Sequence, residues 1–347
     1  MSLAEVVLAV MWLAVTAYAL FGGADFGGGF WDLFAGGAHR GSAQRGLIER
    51  VIGPVWEANH VWLIFVVVIL WTAVPEVFAA VASTLYIPLT AVALGIILRG
   101  SGFAFRKAVD ELAHKRLFGV AFASSSIVTP FFLGTVAGAV ASGRVPLGNA
   151  AGDPWTSWLN PTSLLGGVLA VAVCAFLAAV FLAGDAAREG DERLTVAFRT
   201  RALWTGVITG AIALAGIGVL RADAPLLFAG LTGRAAPLIV ASAVGGAGTL
   251  VLLARRRHGL ARATAGLAVA AVVWGWAAGQ YPYLLEGTVT IDQAAAGRAV
   301  LQALLGSIAA GALLLIPSLV WLYVLFQRHP GPADDQTPQL PSPDGGA

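Results

Sequence analysis

Two ionisable side chains stand in the run Gly53-Pro54-Val55-Trp56-Glu57-Ala58-Asn59-His60-Val61-Trp62, at the mouth of the apolar stretch LIFVVVILW. Such groups are costly beside hydrocarbon and default to a functional hypothesis. Upstream, FGGADFGGGFWDL carries Asp25 and Asp32. Seven residues is about two helical turns, so these two share a helix face. The remaining acids fall mostly in polar segments, and Glu76 beside Pro75 reads as a solvated turn acid. Partly buried carboxylates can exchange protons near neutrality. On that ground Glu57 and Asp25 are candidate stations on a proton path. The competing reading makes these acids helix-end groups at a membrane interface, which suits Asp32 better than Asp25. Pro54 fits a first helical turn, where its missing N–H costs nothing. A carboxylate at position 57 then faces the positive end of the helix dipole.

The neighbours of these acids read as support. His60 lies three residues after Glu57 and so on its face, where it can pair with it. It reads as a hydrogen-bonded interfacial residue rather than a ligand. Trp56 and Asn59 complete the same turn. The glycines of GGADFGGG do not follow a strand, as a phosphate loop must. Gly23 and Gly27 instead form a small-xxx-small pair that lets another helix approach closely. Metal chemistry is poorly provided for. His39, His114, His258 and His329 fall in polar connections, Met1 and Met11 are the only methionines, and Cys174 is a lone thiol in an apolar run. A single cysteine makes neither an internal disulfide nor a cysteine cluster, and a bis-ligated membrane haem needs two facing axial groups. No metal site and no nucleic-acid contact is expected.

The elements that must position these residues are membrane helices. Of 347 residues, 58% are hydrophobic and 12% charged, against about 25% charged in a soluble domain. Runs of about 20 apolar residues predict nine spans: Leu3 to Phe34, Pro54 to Val74, Glu76 to Leu98, Leu117 to Val140, Pro161 to Ala183, Thr200 to Leu220, Ala235 to Ala254, Leu260 to Gln280 and Ala299 to Phe326. A tight turn at Pro75 joins the second to the third. Asp25 then lies roughly 13 Å inside the first span. Of the 21 Lys and Arg residues, all but Arg144, Arg221, Arg234 and Arg298 fall on one face. The positive-inside rule puts that face and the C-terminus in the cytoplasm and the N-terminus outside. The N-terminal stretch lacks a signal-peptide pattern, so the first span should stay in the mature protein. The tail from His329, rich in proline, aspartate and glycine, is expected to be disordered. Residues 141–160 and 281–297 are the longest external segments, able to fold over that surface or to meet a partner. Asp25 and Asp185 each follow a glycine-bearing half-span, four spans apart, an echo that suits two parallel four-helix units plus one helix.

The motifs resemble one family. FGGADFGGGFWDL is similar to the G-x-D-x-G-x-G segment of subunit II of cytochrome bd-type quinol oxidases, VIGPVWEANHVWLI to its P-x-W-[DE]-x-N-x-V-W-L, and LRGSGFAFR to its R-x-x-G-F-x-[FY]-R. The last places the motif arginines at Arg99 and Arg106. Order, spacing and topology agree through the ninth span. The resemblance implies an all-α integral membrane protein of nine transmembrane helices, with bundles at 1–140 and 161–280, a peripheral helix at 298–326 and a cytoplasmic tail at 327–347. It implies a complex in the bacterial cytoplasmic membrane that oxidises quinol and reduces dioxygen to water without proton pumping. In that family a haem-bearing subunit I holds haem b and haem d, or a b-type variant. This chain would ligate none and would not be active alone. The family assigns the motif acid, here Glu57, to a proton channel, with Asp25 as a proposed companion. Glutamate at 57 and histidine at 60 depart from the commoner aspartate and glutamine. A structural quinone in this subunit and a small accessory subunit are further expectations open in the family. From the residues alone, an ion-coupled secondary transporter and a pure membrane scaffold stay open as alternatives.

Overall fold

The computed structural model describes every residue except 38–40, 53–55, 109–111 and 329–347. For 52, 56–58, 103, 106–108, 112–116, 316, 319–320 and 322–328 it describes the backbone alone. Pro54, His39, the tail from His329, and the side chains of Trp56, Glu57, Arg106 and His114 therefore lie outside the described residues.

The chain begins with α1 (Leu3–Ala17), which runs through a π-helical turn (Tyr18–Gly22) into α2 (Gly23–Leu33). Ser2 and Glu5 form a reciprocal capping box at its start, satisfying two backbone donors that a helix end leaves orphaned. Next come α3 (Ser42–Ile52), α4 (Trp56–Ala73), α5 (Pro75–Thr84), α6 (Tyr86–Ala108) and α7 (Leu112–Ala141). The second half holds α8 (Pro161–Arg188), α9 (Glu192–Asp223), α10 (Pro225–Thr232), α11 (Ala236–Ala254) and α12 (His258–Gln280). A short antiparallel hairpin, β1 (Tyr283–Leu285) with β2 (Val289–Thr290), then leads through α13 (Ile291–Ala294) into α14 (Arg298–Arg328).

Among the described residues, seven helices are long and apolar enough to cross a membrane, with Leu3–Leu33 counted as one. Their outer faces are apolar, with Leu313 75% and Leu214 71% exposed. That inverts the pattern of a soluble protein and suits lipid as solvent.

The expected third span differs. The turn at Pro75 is present, α5 being bent 119° from the preceding helix, but the run from Glu76 to Leu98 is not one span: α5 stops at Thr84 and Tyr86–Gly102 forms a separate, shorter apolar helix. A proline bars its predecessor from the helical region, and Val74 accordingly sits at φ −142, ψ 61. The second half repeats this device. Ala224, before Pro225, sits at φ −137, ψ 63 and starts the short α10. The sequences match too, PEVFAA at 75–80 and PLLFAG at 225–230. This echo is stronger than the one between Asp25 and Asp185.

The most enclosed helix is α8, whose C-terminal half from Cys174 to Ala186 is buried almost without interruption. It packs on α2, α7, α9 and α12. Where α2 crosses it, a Cβ built on Gly27 would stand 1.9 Å from the Cys174 carbonyl oxygen, so only a glycine permits the approach. Trp31 donates from Nε1 to the Ala175 carbonyl, 2.9 Å away, and pins the same seam. We expect Gly27→Val to force the helices apart and abolish recovery of folded complex. Overpacking typically costs about 1–3 kcal/mol, and here the obstacle is backbone. Recovery by size-exclusion chromatography measures it; a normal yield would contradict the packing role.

Residues 142–160 and the 281–297 segment close one end. Trp158, Val145, Leu285, Val289 and Ala294 share a core cluster with Val74, Val77 and Leu85. Ala296 donates its N–H to the Ala73 carbonyl at 2.8 Å. Arg144 grips Asp223 through both terminal nitrogens (2.5 and 3.0 Å), while Thr162 donates to the same carboxylate. Within this cap, Glu286 is 7% exposed and its Oε2 has no partner among the described residues. Burial pushes its carboxyl up to about 7, against a smaller opposing pull from the Arg234 guanidinium. The folded value lies above the ordinary 4.5. The resulting stability is complete below pH 4.5 and is lost as pH rises through about 7. The melting temperature should therefore fall across that window, and Glu286→Gln should flatten the profile. An unchanged slope in the variant would contradict this.

Candidate functional site: a buried ion pair beside an interhelical cavity

Asp25, in the first turn of α2, is a buried carboxylate, 2% exposed. Its partner is Arg99 of α6, 0% exposed. Arg99 Nη2 donates to Asp25 Oδ1 at 2.5 Å and to the Asp25 carbonyl at 3.0 Å, while Nη1 donates to Ser126 Oγ of α7. The guanidinium is walled by aromatic rings, with its Cζ 4.9 Å from the Phe26 centroid and 4.4 Å from that of Phe122. Rings and carboxylate together replace the water that a buried arginine loses. By sequence Asp25 had no basic neighbour and Arg99 counted among the loop charges of the basic face. The first point holds, since Arg99 lies 74 positions away, but the structure moves Arg99 from the basic face to the interior, where it pairs with Asp25. The signal was an arginine closing the apolar run GIILR.

A cavity of about 440 Å³ opens beside this pair, lined by Phe21, Asp25, Asn59, Trp62, Phe181 and Arg262 among others. Asp25 Oδ2 has no hydrogen-bond partner among the described residues. Asn59, 3% exposed, donates from Nδ2 to the Phe21 carbonyl at 3.3 Å and ties α4 to the π-helical turn. Arg262 of α12, also in the lining, donates to Asp185 Oδ2 at 3.0 Å, and Arg188 holds the other oxygen of that carboxylate. Each of the two echoed aspartates thus takes an arginine from another helix.

The other expected residues fall around this centre. Asp32 lies near the end of α2, 7% exposed. His60 is half-buried on α4, next to Asn59. Glu57 occupies the first turn of α4, two residues before Asn59. Gly23 faces Leu177 of α8. Reading the sequence missed Tyr18, Ser126, Asp185 and Glu286 as buried polar groups. Met11 is enclosed by Val7, Leu8, Ile69 and Leu301, and Cys174 lies in the closed seam at Gly27. Among the described residues, no three His, Cys, Asp or Glu side chains group to hold a metal ion.

A helical membrane protein with a charged pair at its centre is the class these features define. Comparison with known proteins makes it specific. The family profile described as cytochrome bd terminal oxidase subunit II matches residues 3–326, and the chain belongs to that family. It is 29% identical over 170 residues to cytochrome bd ubiquinol oxidase subunit 2 of Bacillus subtilis, covering 47% of this chain and 49% of that one. It is 29% identical over 231 residues to cytochrome bd-I ubiquinol oxidase subunit 2 of Escherichia coli K12, covering 62% and 58%. The chain thus spans about half the length of these two relatives. The structure of bd oxidase from Geobacillus thermodenitrificans superposes with a TM-score of 0.74 at 27% identity, covering 94% of this chain and 99% of that one.

Proposed function

We propose that this chain is the second subunit of a cytochrome bd-type terminal oxidase, a complex that oxidises quinol and reduces dioxygen to water. It supports a haem-bearing first subunit and supplies protons from the cytoplasm. Reduction of dioxygen to water consumes one proton for each electron, so a buried oxygen site needs a dedicated hydrophilic route. The carrying observation is the cavity that brings the Asp25 carboxylate and Asn59 together, two residues after Glu57. In this reading Glu57 takes protons at the start of α4. Water in the cavity carries them to Asp25, which offers Oδ2 while Oδ1 stays with Arg99. Asn59 and His60 line the entry, Trp56 and Asp32 flank it, and Arg106 belongs to the basic cytoplasmic rim.

The haems, which supply the electron transfer and oxygen chemistry, belong in this reading to the partner. The enclosed settings of Met11 and Cys174 support that assignment. The chain spans the bacterial cytoplasmic membrane nine times with the N-terminus outside. Two four-helix units, 1–140 and 161–280, precede the helix at 298–326. The matched Val74-Pro75 and Ala224-Pro225 breaks support two such units. A complex purified through a tag on this chain should carry a second, haem-bearing polypeptide and show haem bands in the visible spectrum. A colourless chain that moves a solute by itself would instead support a transporter.

A further inference from the structure

Four buried polar atoms around the ion pair have no hydrogen-bond partner among the described residues: Tyr18 Oη, Asp25 Oδ2, Arg99 Nε and Thr129 Oγ1. Buried polar atoms are nearly always paired, with protein or with ordered water. Their residues are linked by a chain of contacts. Asp25 and Arg99 are bonded directly. Arg99 reaches Ser126, one turn before Thr129 on α7. A Cβ on Gly95, one turn before Arg99 on α6, would lie 2.3 Å from Thr129 Oγ1, so that hydroxyl points at α6. The Tyr18 ring lies against Gly22 and stands edge-on to Phe26, centroids 6.3 Å apart, and Phe26 in turn faces Arg99.

The α7 hydroxyls give a control within one helix. Ser125 and Ser126 donate back to the Phe122 carbonyl, and Thr135 to that of Phe132. Thr129 makes no such bond. Pro130 follows it inside the helix, and a proline has no N–H for the carbonyl four residues back. The Ser126 carbonyl is therefore a further acceptor at the same level. Tyr18 opens the π-helical turn Tyr18–Gly22, and such turns recur at functional sites.

We propose that these atoms enclose ordered water, a hydrated junction between the π-helical turn, α2, α6 and α7, and that the Tyr18 hydroxyl is the next proton-path group beyond Asp25. The hydration stands on the orphaned atoms alone; the relay role of Tyr18 rests on the proton-path reading above. Tyr18 precedes Asp25 by seven residues, about 10 Å farther along the helix axis. A proton reaching Asp25 Oδ2 passes to a water, and the Tyr18 hydroxyl accepts one proton as it releases another, with no net change at the phenol.

Two measurements on the intact complex test this. Radiolytic oxidation in H2¹⁸O should label Tyr18 despite its buried hydroxyl, with the exposed Tyr281 as reference. Absence of label on Tyr18 while Tyr281 is labelled overturns the junction. Tyr18→Phe should slow quinol-driven oxygen consumption about tenfold, the loss of one hydrogen bond of ordinary strength, with haem content unchanged. A labelled Tyr18 with full turnover in the variant overturns its relay role. If Glu57→Ala also runs at full rate, the cytoplasmic path itself is wrong, while a labelled Tyr18 still upholds the junction.

Discussion

Glu57→Ala, in an assembled complex, should lower quinol-driven oxygen consumption roughly a hundredfold, the low end of what removal of a proton-transfer group costs. Haem content and spectrum should stay normal. The expectation rests on where the residue stands. It occupies the first turn of α4, and two residues later Asn59 enters the cavity that Asp25 lines. No other acid of α4 can substitute, since Glu57 is the only one in the helix. Glu57→Asp keeps the proton-exchanging group one carbon shorter and should retain a substantial fraction of the rate. The pair of variants separates chemistry from architecture. Full activity in Glu57→Ala ends the proton-path reading, and loss of haem content recasts Glu57 as an assembly residue.

Arg99→Leu should have the largest effect on stability. It leaves the Asp25 carboxylate buried without its cation, and breaking a buried pair from one side costs about 3–5 kcal/mol. That is a large share of a total stability of about 5–15 kcal/mol, so little assembled complex should be recovered. Arg99→Lys should rescue only in part. A single ammonium cannot bond Asp25 and Ser126 in the forked geometry of the guanidinium, nor stack between Phe26 and Phe122 as it does. The double variant Asp25→Leu with Arg99→Met removes both charges and should recover more complex than Arg99→Leu alone. Recovery and melting temperature measure all three. Equal losses in the single and double variants would mean that the shape of Arg99, not the charge balance, holds the site.

Much of this was legible before any coordinates. Apolar run length located the membrane helices, because hydrocarbon tolerates little else over that distance. Asp25, buried in α2, came forward for the same reason. The pairing did not, because Asp25 and Arg99 are joined by folding across three helices rather than by local spacing. Nor did the short helix that Pro75 opens: run length placed a turn at Pro75 but is blind to the further break at Leu85, which leaves the chain apolar. The repeat PEVFAA and PLLFAG carried that information and passed unread. Glu286 was missed because a loop acid is assumed to be solvated, whereas this loop folds back over Val74, Val77 and Leu85.

The separation of Asp25 from Arg99 also bears on how the chain is made. A ribosome adds roughly 5–20 residues per second, so the 74 positions between them take about 4–15 seconds to synthesise. Through that interval the nascent first helix carries an uncompensated acid. The helix that seals the seam at Gly27 emerges later still. Biogenesis of this polypeptide therefore calls for an insertase that shelters a half-finished membrane segment until its basic counterpart arrives.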